Sequence, residues 1–333
     1  MNIQPKDTFL YRLVCLAACI AFCVVILGAY TRLKDAGLGC PDWPGCYGHV
    51  IVPHGTATPA FGSVKIEPIK AWAEMSHRYL AGTLGVLILI LLARVCMTYK
   101  RYQTPVGLPM IIGLLVLLQA SLGRFTVTLK LLPPVVMFHL LGGMTLTVLL
   151  VLLALRLGGF FANMHNTDCK RFKYWTIFGL LLLIVQITLG GWTSANYASL
   201  ACTDFPYCHG ALLPTLQFDH AFTLLDKIGI NYQGGILDEA TRITILMTHR
   251  LGAMIVAGYW LLLCLVMLGT ARSKILLRFI LIILFLLSLQ VILGILNLVL
   301  MLPLPIAVSH NAVAALLCIV IVSLNYAFYA KKN

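Results

Sequence analysis

Four histidines of this 333-residue chain, His77, His139, His249 and His310, stand inside long apolar stretches. An ionisable side chain is costly there and marks a functional position by default. A lone intramembrane imidazole could be a helix–helix hydrogen bond, but these four occupy repeated contexts. Met75-Ser76-His77-Arg78 is answered by Met247-Thr248-His249-Arg250. Leu118-Gln119, Leu122-Gly123, Pro134 and His139 return at constant spacing as Leu289-Gln290, Leu293-Gly294, Pro305 and His310. Leu27-Gly28, Thr31 and a run from Cys40 to Cys46 return as Leu189-Gly190, Thr193 and Cys202 to Cys208. All four histidines lie within about two turns of the outer ends of their spans, hence at similar depth. Two neutral imidazoles at one level between neighbouring helices are suited to ligate haem iron axially. Arg78 and Arg250 follow the first histidine of each pair. A guanidinium there suits a haem propionate through its two-pronged geometry, or it snorkels to the headgroups. His49, His54, His165, His209 and His220 fall in loops and are read as surface residues.

The two copies differ at one chemically telling position. Glu74 precedes His77 by three residues, on the same helix face, and its counterpart is Leu246. Asp238 and Glu239, at a loop end, are the other carboxylates expected beside a span. Glu74 therefore marks the N-terminal half as the reactive one and leaves the C-terminal half as a plain bis-histidine electron-transfer site. The alternative is an interfacial glutamate solvated by its loop.

These residues must be carried by membrane helices. The chain is 60% hydrophobic and 11% charged, where soluble proteins carry roughly a quarter charged residues. A helix of roughly 20 residues crosses about 30 Å of hydrocarbon. Runs of that length occur near 10–31, 72–97, 106–125, 134–155, 174–195, 242–268, 276–298 and 304–328. The expected fold is an all-α integral membrane protein of eight transmembrane helices, arranged as two parallel-repeat four-helix bundles over 1–168 and 169–333. Most of the 24 basic residues fall inside if both termini are cytoplasmic, while nine of the 11 acids fall outside. The +13 charge is thus read as topology; nucleic-acid binding would need a solvated basic domain. The first apolar run is too long for a signal peptide and lacks a small-residue cleavage site.

Both long outer loops hold a Cys-x5-Cys pair. An oxidising compartment favours disulfides, and Asp and Pro between the cysteines favour a turn, so Cys40–Cys46 and Cys202–Cys208 are expected to bond. They could staple the loops or exchange with a thiol partner. Zinc fits worse, with one pair in each separate loop. Cys15, Cys19, Cys23, Cys96, Cys169, Cys264 and Cys318 are read as packing residues. The segment from Cys208 to His249 is ten residues longer than that from Cys46 to His77, an insertion the sequence does not explain.

Taken together, the eight spans, Glu74-Met-Ser-His77-Arg78, His139, His249-Arg250, His310 and the outer cysteine pairs resemble the haem A synthase family over nearly the whole chain. The resemblance implies oxidation of the C8 methyl of haem O to a formyl through successive hydroxylations, giving haem A for terminal oxidase assembly. It implies haem O between His77 and His139, a resident haem b on His249 and His310, and Glu74 as the family's essential glutamate. Cys40 and Cys46 match the first-loop pair of the cysteine-containing bacterial branch, which places the chain in a bacterial inner membrane. A haem O synthase, and an electron acceptor such as a quinone or a thiol–disulfide protein, are the partners this suggests. A bis-histidine cytochrome b taking electrons from quinol is the competing reading, but it has no need of an asymmetric Glu74. A thiol–disulfide oxidoreductase would not need four histidines, and a secondary transporter would call for a broken span at the midplane.

Overall fold

In a computed structural model, residues 7–55, 61, 65–102, 106–161, 171–224, 227–270 and 273–329 are described. His165 and Cys169 lie outside them, as do Lys6, Lys170, Arg272, Lys331 and Lys332 of the inner basic set. Among the described residues eight helices form: α1 Thr8–Leu33, α2 Pro68–Tyr102, α3 Gly107–Thr128, α4 Pro133–Leu157, α5 Lys173–Ala195, α6 Glu239–Leu268, α7 Lys274–Val299 and α8 Leu304–Tyr329. All eight are long and apolar enough to cross a membrane. Every apolar run read from the sequence is helical.

The helices outrun those apolar runs because polar residues start them. Asp7 caps α1, its Oδ1 accepting from Leu10 N–H at 3.0 Å, and Asp238 caps α6 through Thr241 N–H at 2.8 Å. Such caps satisfy amides that the first turn leaves without partners. The expectation that only Asp238 and Glu239 flank a span is therefore corrected. Asp7 borders α1 and pairs with Arg94 of α2 at 2.9 Å, and Glu67 immediately precedes α2.

α1 and α3 each pack on α2 and α4, while α5 and α7 each pack on α6 and α8. The two groups meet where α1 packs on α8, α4 on α5 and α4 on α8. One core gathers Leu10, Val14, Leu84, Ile88, Leu91, Ile112 and Leu150. Another gathers Trp260, Met267, Ile280, Ile283 and Ile321, with Trp260 Nε1 donating to the Gly179 carbonyl at 3.1 Å. Between the groups lie Val25, Met144 and Ala315.

The same tight turn closes α3–α4 and α7–α8. Lys130 and Leu131 have φ of 48° and 63°; Met301 and Leu302 have φ of 58° and 61°. Leu131 N–H reaches the Thr126 carbonyl and Leu302 N–H the Asn297 carbonyl, at 2.8 and 2.6 Å. Two successive left-handed residues cost roughly 1–2 kcal/mol each, and the prolines that follow start the next helix at once.

The ten-residue insertion acquires a role here. Its Tyr232 is buried among Leu131, Leu132 and neighbours at the α3–α4 turn, and Tyr232 N–H donates to the Lys130 carbonyl at 3.1 Å. Gln233 Nε2 donates to Asp35 Oδ2 at 3.0 Å. Asp35 Oδ1 in turn accepts from Tyr197 Oη at 2.6 Å, and the Arg32 guanidinium lies 4.1 Å from the Tyr197 ring centre. The insertion thus straps the second half's outer loop across the first half. Tyr232→Ala should remove about 3 kcal/mol of local packing and release this strap. Limited proteolysis within 209–237 should accelerate strongly, with the helices left intact.

Candidate functional site

Four glycines decide where the imidazoles can sit. His77 of α2 lies against Gly28 of α1, and His139 of α4 against Gly123 of α3. His249 of α6 lies against Gly190 of α5, and His310 of α8 against Gly294 of α7. A Cβ built on these glycines would stand 2.9, 3.3, 3.1 and 3.2 Å from the respective ring Cε1 atoms. Any larger residue would push the ring off its neighbouring helix. Each histidine is thus seated by a small residue chosen at a repeated position.

The rings of His77 and His139 face one another, with centroids 6.3 Å apart and planes at 85°. A metal–imidazole bond is about 2 Å and a ring centre about 1 Å from its nitrogen, so two rings sharing one ion place their centres about 6 Å apart. Nδ1 of His77, His139 and His310 is buried with no partner in the protein, and buried polar atoms normally have one. All four histidines, Glu74, Arg78 and Arg250 line one continuous cavity of about 1590 Å³. Single small-molecule sites run to roughly 300–1,000 Å³, so the space exceeds one ligand. Among the described residues no three His, Cys, Asp or Glu side chains cluster as a metal cage. The donor set suits a group that needs two axial imidazoles and brings its other ligands, as haem does. His49, His54, His209 and His220 are exposed loop residues.

Glu74 is tied down on both oxygens. Oε1 accepts from Arg78 Nη2 at 2.5 Å, and Oε2 accepts from the Cys40 backbone N–H at 2.8 Å. It is buried rather than solvated by its loop. Its counterpart Leu246 packs on the Cys202–Cys208 pair, so one site in the duplication is a polar tether and the other an apolar contact.

The arginines point to the loops. Arg78 Nη1 donates to the carbonyls of Asp42, at 2.8 Å, and Gly45. Arg250 donates to the carbonyls of Tyr207 and Cys202, both at 3.1 Å, and Asp204, at 3.3 Å. Neither the snorkelling nor the propionate reading anticipated this clamp, which holds each cysteine hairpin over its histidine pair. Both pairs are bonded, Cys40–Cys46 at 2.01 Å and Cys202–Cys208 at 2.02 Å. Inside each ring an aspartate closes the turn. Asp42 accepts from Tyr47 and Gly48 N–H at 2.6 and 2.9 Å, and Asp204 from His209 and Gly210 N–H, both at 2.9 Å.

Three glutamines complete the site, and the sequence reading passed over their chemistry. Gln186 Nε2 lies 2.9 Å from His249 Nδ1, and Gln290 Nε2 lies 3.2 Å from His310 Nε2. Gln119 is buried at the Gly142 surface one turn after His139. An isolated amide inside an apolar span was the signal available for each.

This arrangement sits in a chain whose residues 11–322 match the cytochrome oxidase assembly protein family COX15-CtaA. The chain belongs to that family. It is 46% identical to the haem A synthase of Shewanella oneidensis over 315 residues, covering 93% of this chain and 94% of that protein. It is 27% identical to the haem A synthase of Chelativorans sp. over 88% of this chain and 83% of the other. The haem A synthase of Nitrosospira multiformis is 28% identical over 94% and 90%.

One pH dependence follows from the second hairpin. Gly210 N–H, then His209 N–H, favour the charged Asp204 carboxylate and hold its pKa below the ordinary 3.8. A depressed carboxyl stabilises the fold above that ordinary value and ceases to do so as pH falls through the lowered one. Protection of the Gly210 amide against hydrogen exchange should therefore fall on acidification below pH 3.8. In Asp204→Asn it should be weaker throughout and flat over that range.

Proposed function

We propose that this family member is a haem A synthase, an oxidoreductase that converts the C8 methyl of haem O to a formyl group. The facing imidazoles of His77 and His139, 6.3 Å apart in a cavity that reaches Glu74, carry this reading. The names of its relatives agree with it. On this reading residues 1–168 form the substrate bundle and 169–333 the resident-haem bundle, related as parallel repeats. The protein sits in the bacterial inner membrane with both termini cytoplasmic.

The chain's own groups divide the work. His77 Nε2 and His139 Nε2 hold the iron of haem O, and Gly28 and Gly123 fix where those rings lie. The apolar α1–α4 wall encloses the porphyrin's apolar surface. Arg78 and the Cys40 amide hold the Glu74 carboxylate at the cavity wall, one turn from His77. Oxidising a methyl to a formyl with an oxygen atom from water releases four electrons, which the acceptor takes, and four protons, for which Glu74 is the buried carboxylate at the cavity wall. His249 and His310 would hold a haem b, their rings seated against Gly190 and Gly294. Haem b supplies one-electron chemistry when bound. A haem O synthase delivering substrate and a quinone or thiol–disulfide acceptor would complete the cycle.

Membranes expressing the chain with a source of haem O should yield haem A on pigment extraction. Haem O recovered unchanged, with the protein folded and haem-loaded, would favour a plain cytochrome. Glu74→Gln should keep its haem yet lose roughly 10²–10⁴-fold in conversion, the range of general acid–base catalysis. His249→Ala or His310→Ala should abolish the resident low-spin spectrum. An unaltered spectrum removes both from the ligand set.

A further inference from the structure

The two histidine pairs are held unequally, and one difference between them is an exchanged contact. Gln186 on α5 occupies the place that Val24 occupies on α1. Its Nε2 lies 2.9 Å from Nδ1 of His249 and donates to the carbonyl of the same residue at 3.0 Å. Its Oε1 is buried without a partner, whereas on the other side Nδ1 of His77 is itself buried without one.

The neighbouring helix is cut to receive the amide. Gly252, three residues after His249, leaves the space that Gln186 fills, and a Cβ there would collide with Oε1. The counterpart of Gly252 in the first half is Leu80. The pair Gln186 and Gly252 thus replaces the pair Val24 and Leu80, a polar side chain and its socket for two apolar ones. A paired change of this kind is hard to explain as packing alone, because a leucine or valine in the same space would avoid burying an amide.

We propose that Gln186 is a positioning residue that engages Nδ1 of His249, so that Nε2 faces the cavity as a fixed, strengthened donor. The two ends of an amide are isosteric; turning it sets Oε1 against Nδ1, where it accepts from Nδ1–H, and gives up the donation to the His249 carbonyl. A partner on the far nitrogen fixes the tautomer and orientation of a ligating imidazole and raises its basicity. Loss of such a partner typically weakens metal affinity roughly 10–100-fold. The inference rests on the reading of His249 and His310 as ligands of a resident haem b. It adds a reason why that half retains its group, while in the half that must release product no side chain bonds Nδ1 of His77.

The test uses the purified full chain loaded with haem b, in wild-type, Gln186→Val, Gln186→Glu and His249→Ala forms. Readouts are the rate of haem transfer to apomyoglobin, the midpoint potential and the low-spin electron paramagnetic resonance signal. Gln186→Val should stay low-spin, lose haem roughly 10–100-fold faster and rise in potential. Gln186→Glu, an anionic acceptor of similar size, should restore retention and lower the potential below the wild-type value. Gln186→Val indistinguishable from wild type in both retention and potential overturns the proposal. Should the valine form fail to fold, the glutamate form decides, since an unchanged potential there is equally contrary. If His249→Ala leaves the wild-type signal intact, the ligand reading has failed instead.

Discussion

Four imidazoles enclosed in an apolar helix bundle around one cavity are the constraint around which the rest of this molecule is arranged. An apolar helix bundle gains nothing by enclosing four neutral rings and leaving ring nitrogens unbonded, because a buried polar atom costs free energy until something satisfies it. Here all four histidines line a shared cavity, and the surroundings secure their geometry at four places in the same way. A glycine on the adjacent helix lets the Cε1 edge of each ring approach the backbone. Helix ends, prolines and left-handed turns then set the depth at which each ring enters.

Above the rings, the outer surface is built as a cover. Each cysteine ring is closed internally by an aspartate and clamped from below by the arginine beside a histidine. In the first half the clamp also takes in Glu74, so disulfide hairpin, carboxylate and guanidinium form one connected unit. In the second half Leu246 replaces the carboxylate and the hairpin rests on an apolar contact. One scaffold therefore builds two unlike sites by exchanging a few side chains: Glu74 for Leu246, Val24 for Gln186 and Leu80 for Gly252.

Much of this was legible in the sequence. Eight apolar runs gave eight helices, since in lipid no other open structure satisfies the backbone, and the cysteine spacing with its internal aspartate gave both bonded pairs. Helix ends were less legible, because capping by Asp7 and Asp238 carries α1 and α6 beyond their apolar windows. The arginines were readable as neighbours of the histidines but not as loop clamps. Their partners are backbone carbonyls thirty to fifty residues away, and no residue pattern marks a carbonyl. The strap around Tyr232 was opaque for a similar reason: an insertion shows its length in sequence but not the surface it covers. Gln186 could have been noticed, but attention to ionisable groups passed over an amide.

Near-infrared magnetic circular dichroism of the pure, haem-supplied protein tests the account most directly, since the charge-transfer band of ferric low-spin haem reports its axial ligands. The account predicts bis-histidine bands alone, with the intensity falling by half when either pair is disrupted. Bands of histidine–methionine or thiolate ligation, or only high-spin signals, would contradict it.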